Sequence, residues 1–396
     1  MKVSQSIEKC GLSPMRKYAP YATEAEKKGH KIYHLNIGQP DIETPPVYFD
    51  TVRDFKLPVL AYAPSPGIPE MIEAVRQYYK GIGVDYAAND IFITTGGSEA
   101  LQILMGCILD EGSEVIIPEP FYPNYNTFVK SCGGVIRPMP TTPEDGYQYA
   151  YKDKLEALVN DKTRAIMFTN PGNPTGVVIS EAQMRVIADV AKAHDLYVIG
   201  DEVYREFVYG GEQLLSIGQF DDIAENAVVI DSVSKRFSAC GARIGMLITK
   251  NKMLQSEIMK YCQGRLSVST LDQVAAAKLY TVDDSYFAAV RDEYRKRRDT
   301  IYEKLSQIPG VVCKKPMGAF YVMAKLPVDN TDTFQQWLLT DFEDNGETVM
   351  FAPGEGFYAT PGHVNEVRLA YVLKQADLER AMDLLALGIK KYNETH

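Results

Sequence analysis

The sequence is poor in the features that mark several protein classes. Its six cysteines (Cys10, Cys107, Cys132, Cys240, Cys262 and Cys313) are scattered along 396 residues with no C-x-x-C pair. In a chain of this length they read as reduced thiols rather than a disulfide framework. The five histidines form no ligand-spaced cluster, so no metal site is expected. No apolar run is long enough to cross a bilayer, and the N-terminal stretch MKVSQSIEKCGLSPMRKYAP lacks the apolar core of a signal peptide. Neither membrane insertion nor a membrane partner is expected, and cytoplasmic location is the default. Positive charge is in deficit, with 42 Lys and Arg against 52 Asp and Glu for a net charge of −10. That balance repels nucleic acid and anionic membranes, while leaving room for a local basic pocket that takes a small anion. There is no G-x-G-x-x-G, which argues against a nucleotide-binding oxidoreductase.

What is present is a globular composition, 45% hydrophobic and 24% charged, which excludes a disordered chain. The length exceeds one ordinary core, so a large α/β domain with a smaller companion is the natural expectation. Apolar, β-rich runs at residues 91–95 (IFITT), 114–117 (EVII), 164–169 (RAIMFT), 196–201 (LYVIGD), 227–231 (AVVID) and 245–249 (GMLIT) read as strands. Helical periods separate several of them, at 98–109 and at 180–194, the latter opening with Ser180 and Gln183 as a capping box. This pattern predicts an α/β fold with a mostly parallel central sheet sandwiched by helices. Residues 311–322, with Gly318 inside, and 367–372 suggest strands of a smaller α+β C-terminal domain, with helices at 333–343 and 378–392. The expected division is 46–289 for the large domain and 1–45 plus 290–396 for the small one.

Glycine, proline and asparagine cluster where predicted strands end, which in open α/β sheets is where ligands bind. Lys235 lies just past the strand at 227–231, with Ser232 and Ser234 before it and Arg243 eight residues later. An imine-forming lysine with hydroxyls and an arginine nearby suits a phosphate monoester; the same segment alone reads equally as a surface loop. Thr95-Gly-Gly97-Ser98 is a strand, a glycine turn and a helix start, able to offer N–H groups to an anion, or simply a βα turn. Asn170-Pro-Gly-Asn173-Pro-Thr-Gly176 is more specific, because its doubled turn punctuation can hold an amide in one orientation. Asp201 ends an apolar strand, where a buried carboxylate needs a partner such as a protonated pyridine nitrogen. Tyr204 follows three residues on, and a plain helix cap is the alternative for Asp201.

In this order and spacing the motifs resemble the class I/II aminotransferases of pyridoxal-phosphate fold type I, the group that includes aspartate aminotransferase. The likeness runs from Asn36 to Arg368. It implies pyridoxal 5'-phosphate as cofactor, with Lys235 as its Schiff-base lysine and Asp201 facing the pyridine nitrogen. Asn173 and Tyr204 match residues bonded to the ring oxygen. Gly97, Ser98, Ser232 and Arg243 match the phosphate cup, and Tyr122 an aromatic stacked on the ring. Tyr62 matches a tyrosine reaching the neighbouring subunit's cofactor, implying a homodimer with shared active sites. Arg368 and the backbone of Gly38 match the grip on the substrate α-carboxylate. Amino acid and 2-oxo acid substrates follow, aspartate and 2-oxoglutarate first. Aromatic or alanine-type substrates and a C–S β-lyase on the same scaffold are the alternatives. Arg265 is the candidate for a distal carboxylate. The sequence departs from the common pattern in Gly241-Ala242-Arg243, where the family often has Gly-Trp-Arg, in Tyr122 where many aspartate enzymes have Trp, and in an unusual acid, Glu119.

Overall fold

The computed structural model describes all residues of 1–396 except Leu57, Glu212 and Gln213. Its centre is a sheet of β1 (Ile91–Thr94), β2 (Glu114–Glu119), β3 (Val135–Pro140), β4 (Thr163–Thr169), β5 (Tyr197–Asp201), β6 (Ala227–Ser232) and β7 (Gly245–Thr249). The seven strands lie in the order β1-β7-β6-β5-β4-β2-β3. All neighbours pair in parallel except around β7, which runs antiparallel to both β1 and β6.

Side chains alternate between the two faces, as a strand's period of two requires. Ile116, Ile166, Val198, Val229 and Met246 enter one hydrophobic cluster. Their neighbours Val115, Ala165, Ile199, Val228 and Leu247 enter the cluster on the other face. Helices cover both faces, so every residue of β1, β6 and β7 is buried. That two-sided burial is why these strands read as unbroken apolar runs rather than as alternating ones.

The strand at 135–140 was not anticipated. Its sequence, VIRPMP, carries two prolines, which a sheet accepts at an edge, and β3 is the edge strand with a half-exposed pattern. The helix after β1 begins at Gly96 rather than Ser98 and runs to Ile108. The helix Glu181–Ala193 opens on the expected capping box, with Ser180 Oγ accepting from the Gln183 N–H and Gln183 Oε1 accepting from the Ser180 N–H.

A separate core gathers Tyr33, Leu35, Phe320, Val322, Val367 and Leu369. Its four-stranded antiparallel sheet joins Ala352–Pro353, Glu366–Ala370, Tyr321–Lys325 and Val312–Cys313 in that order. The N-terminal strand Lys31–His34 pairs in parallel with Glu347–Met350, which ties the start of the chain to this C-terminal part. The helices there span Thr331–Thr340 and Gln375–Thr395. Gly318 lies between two of the strands; a Cβ there would collide with Pro171 and the Phe207 carbonyl, so glycine allows the small sheet to close on the loop after β4.

A buried ion pair sets the path of the chain after β6. Arg236 Nη2 lies 2.6 Å from Asp231 Oδ2, with both side chains sealed from solvent, and Tyr79 Oη donates to the same carboxylate oxygen at 3.0 Å. Asp231→Ala strands a buried guanidinium, and the expected loss is about 3–5 kcal/mol of unfolding free energy. Urea denaturation measures it; a loss well under 1 kcal/mol would mean that the pair does not hold this turn.

Candidate active site

Strands β4, β5 and β6 end at Thr169, Asp201 and Ser232 on one side of the sheet. A cavity of about 1120 Å³ opens there, lined by Gly38, Gly97, Ser98, Tyr122, Asn173, Asp201, Tyr204, Ser232, Lys235, Arg243 and Arg368. Of the residues expected from the sequence, only Tyr62 and Arg265 are not brought to it.

Lys235 projects from the four-residue helix Val233–Arg236 that follows β6. Its Nζ donates to the Gly38 carbonyl at 2.9 Å and lies 3.8 Å from Cys240 Sγ. Gly38 has no room for a side chain, because a Cβ would run into the Tyr321 hydroxyl. The Ser232 hydroxyl is committed locally, accepting from the Ser234 N–H and bonding the Ile244 carbonyl, each at 3.0 Å. It braces the turn beneath Lys235 as well as facing the cavity.

An anion cradle lies at the start of the helix Gly96–Ile108. Arg243, itself in the left-handed region at φ 53°, donates to the Cys240 carbonyl at 2.9 Å and the Thr95 carbonyl at 3.4 Å. Its guanidinium occupies the space that a Cβ on Gly96 would need, and a Cβ on Gly245 would strike the Gly96–Gly97 backbone. These glycines let arginine, helix N-terminus and β7 interlock, presenting N–H donors and a cation to the cavity.

Two buried charges face the same space without meeting a counter-charge. Asp201 accepts from Tyr125 Oη at 2.5 Å and from the Val203 N–H at 3.4 Å. No basic side chain pairs with it among the described residues. Burial pushes its carboxyl up to about 6. Arg368 is 1% exposed. It donates to the Asn36 carbonyl at 2.6 Å and to Asn173 Oδ1 at 3.1 Å, and Met15 Sδ lies 3.1 Å away. It has no acidic partner among the described residues, its Nε is unpartnered, and burial pushes its pKa down. The rings of Tyr321 and Phe357 lie against it at 4.5 and 4.8 Å.

Aromatic hydroxyls complete the walls. Tyr204 Oη is 2.9 Å from Tyr321 Oη. Tyr122 stands edge-on to Tyr125 with ring centroids 5.5 Å apart, and burial pushes its phenol up to about 12. Sequence reasoning missed Tyr125 and Tyr321. The only trace of Tyr125 was the second tyrosine of Pro-Phe-Tyr-Pro-Asn-Tyr, and Tyr321 reads as an ordinary strand residue.

Arg265, the candidate for a distal carboxylate, is not brought to this chain's cavity. It follows the helix Lys252–Gly264, and its Nη2 donates to the Ile93 carbonyl at 2.7 Å and the Ser65 carbonyl at 3.3 Å. Its Nε lies 3.4 Å from Glu99. Nη2 thus holds backbone, while Nε and Nη1 make no hydrogen bond among the described residues. Tyr62 is 80% exposed, on the outer surface of this chain. Glu119 is buried and clamps the far loop, accepting from the Ala359 and Thr360 N–H groups at 3.0 and 3.2 Å and from the Thr360 hydroxyl at 2.6 Å.

A lysine amine with no acidic partner among the described residues, a buried carboxylate awaiting a cation and a glycine-lined anion cradle fit pyridoxal 5'-phosphate, and with this sheet they define a pyridoxal-phosphate-dependent enzyme of fold type I. The chain belongs to the family described as aminotransferase class I and II, whose model matches residues 30–385. It is 30% identical over 406 residues to aspartate aminotransferase of Bacillus subtilis (strain 168), covering 100% of both chains. It is 31% identical to aromatic-amino-acid aminotransferase 2 of Thermococcus litoralis, covering 99% of each. Among solved structures, alanine aminotransferase from Pyrococcus furiosus superposes with a TM-score of 0.90 at 30% identity, over 98% of this chain and 100% of that one. Thermus thermophilus aspartate aminotransferase with maleate gives 0.87 at 27% identity, over 98% and 100%. The protein is therefore a pyridoxal-phosphate-dependent transaminase.

Because folding raises the Asp201 pKa from 3.8 to about 6, its contribution to stability is fully present below pH 3.8 and is lost as pH rises through 6. Cofactor-free Asp201→Asn escapes that loss. It is expected to exceed the parent by up to about 3 kcal/mol at pH 8, with the advantage fading below pH 4. Denaturant titration at the two pH values tests this; an equal difference at both would show that Asp201 is not desolvated.

Proposed function

We propose that the enzyme transfers the amino group of L-aspartate to a 2-oxo acid such as 2-oxoglutarate, acting as a homodimer with shared active sites. The observation that carries the reading is Arg368, a buried cation without an anion at the wall of the cavity. A guanidinium so placed binds a carboxylate through two parallel charge-assisted bonds, and Asn173 Oδ1 fixes its plane from the side. Aspartate is favoured by the relatives named for it and by the maleate, a dicarboxylate, with which Thermus thermophilus aspartate aminotransferase was solved. Leu12, Ile37 and Leu101 also line the cavity, which favours an apolar donor of the alanine or aromatic type as the second reading.

Bound pyridoxal phosphate supplies an electron sink that lets the Cα–H bond of an amino acid break heterolytically. The residues do the rest by position and charge. Arg243, Gly97, Ser98 and Ser232 hold the phosphate, and Asp201 keeps a proton on the ring nitrogen opposite it. Tyr125 supports Asp201 through its hydroxyl. Asn173 and Tyr204 bond the ring oxygen, and Tyr122 covers a ring face. Lys235 would anchor the cofactor through its amine and, when its amine is free, would take the proton from Cα. Arg368, with the Gly38 backbone, aims that Cα–H bond at Nζ. Tyr62, exposed here beside Val59 and Leu60, serves the partner's phosphate. In this reading residues 46–289 carry the cofactor, and residues 1–45 with 290–396 carry the substrate grip.

A panel of amino donors and 2-oxo acids assayed with the purified enzyme tests the substrate. Aspartate with 2-oxoglutarate should give the highest kcat/KM; alanine or an aromatic donor in first place would favour the second reading. Pyruvate and ammonia from cysteine conjugates as the main products would indicate a lyase. Arg368→Ala should lower kcat/KM by about 100-fold or more, as expected for losing a bidentate carboxylate contact.

A further inference from the structure

Five basic side chains line the cavity, Arg16, Lys17, Lys235, Arg243 and Arg368, against a single carboxylate, Asp201. Three of them have tasks in the reading above. Lys17 is paired, its Nζ 2.7 Å from Asp332 Oδ1. Arg16 is left: it is exposed at the rim of the cavity, and among the described residues its guanidinium makes neither a hydrogen bond nor an ion pair. A rim cation left over once the cofactor phosphate and one α-carboxylate are engaged is available to a further anionic group.

The backbone that carries Arg16 is fixed rather than loose. Arg16 closes the short turn Pro14–Arg16. Pro14 packs where Gly356 leaves no space for a Cβ. Asn36 Nδ2 donates to the Met15 carbonyl at 3.4 Å. Two residues on, the buried Tyr18 hydroxyl donates to the Asp332 carbonyl at 3.3 Å. Between these anchors, Met15 Sδ touches Arg368 Nη2 at 3.1 Å. Asp332, Gly356 and Arg368 all belong to the C-terminal part, so Arg16 is seated on the same body as the residue that grips the α-carboxylate.

We propose that Arg16 is the specificity residue that receives the second carboxylate of a dicarboxylic amino donor, a role for which Arg265 does not line this cavity. The inference rests on the transaminase reading and deepens its choice of aspartate. Two cations on one body define a span. A donor carrying carboxylates at both ends of that span gains a second charge-assisted hydrogen bond, while a monocarboxylic donor leaves Arg16 in water.

The test uses the holoenzyme and two readouts. Calorimetry with succinate, an unreactive dicarboxylate, and with butyrate, its monocarboxylate counterpart, reports binding. Steady-state kinetics with aspartate and alanine reports the ratio of the two kcat/KM values. For Arg16→Ala, the expected result is about 10- to 100-fold weaker succinate binding and a matching fall in the aspartate-to-alanine ratio, the size of one lost charge-assisted bond. Arg16→Lys should recover part of both. If the parent prefers dicarboxylates and Arg16→Ala keeps that preference, the Arg16 assignment is overturned while the aspartate reading stands. Equal weakening of succinate and butyrate would assign Arg16 to the architecture of the cavity and likewise overturn it. If the parent prefers neither succinate nor aspartate, the aspartate reading fails first and the assignment with it.

Discussion

Two buried charges of opposite sign face one cavity and do not touch. Asp201 and Arg368 each sit where desolvation is costly, and each is denied the obvious remedy of pairing with the other or with a neighbour. A folded chain tolerates such an arrangement when its ligands supply the missing charges. The surroundings of the cavity keep that separation: one charge on the rim of the central sheet, the other on the small sheet, with the Lys235 amine lining the same cavity.

The means of support differ on the two sides. Asp201 ends a strand buried on both faces and receives Tyr125 Oη, so its carboxylate cannot swing toward a surface cation. Arg368 is gripped by a backbone carbonyl, an amide oxygen and two aromatic rings, all neutral. Neutral acceptors orient a guanidinium without discharging it. Lys235 is located by a third device, the sealed Asp231–Arg236 pair on either side of it in sequence. Glu119, reaching across to Thr360, fastens the loop that follows β2 to the part of the chain that carries Arg368.

Much of this was legible from residue order. The apolar strands of the central sheet announce themselves because both of their faces are covered. Asn173 lies in a segment whose doubled turn punctuation is hard to explain otherwise, whereas Lys235, Asp201 and Arg368 stand out only when the motifs are taken together in order and spacing. What was not legible depends on contacts between distant segments. Nothing in Gln-Gly-Arg265-Leu reveals that the guanidinium is taken up by the Ile93 carbonyl 172 positions away. Tyr321 looks like any strand residue until Tyr204 and Gly38 come beside it. Edge strand β3 hides behind its prolines, and Glu119 looks like an active-site acid although it acts as a clasp. Local pattern reports which chemistry is available; long-range packing decides which side chains remain free to perform it.

The one reversed strand of the main sheet has a further bearing on how the family's members can diverge. Because β7 returns alongside β6, Val233 N and Ile244 O close the loop between them with a bond of 3.2 Å. Lys235 and Arg243, which the proposed function makes the covalent and the ionic moorings of the cofactor, therefore share one short, pinned excursion of chain. A residue gained or lost in it would displace both side chains together, whereas length changes in the connections at the opposite rim of the sheet would displace neither. Tolerance to insertion and deletion is thus uneven around the molecule, lowest at this hairpin and greatest where loops leave the sheet away from the cavity.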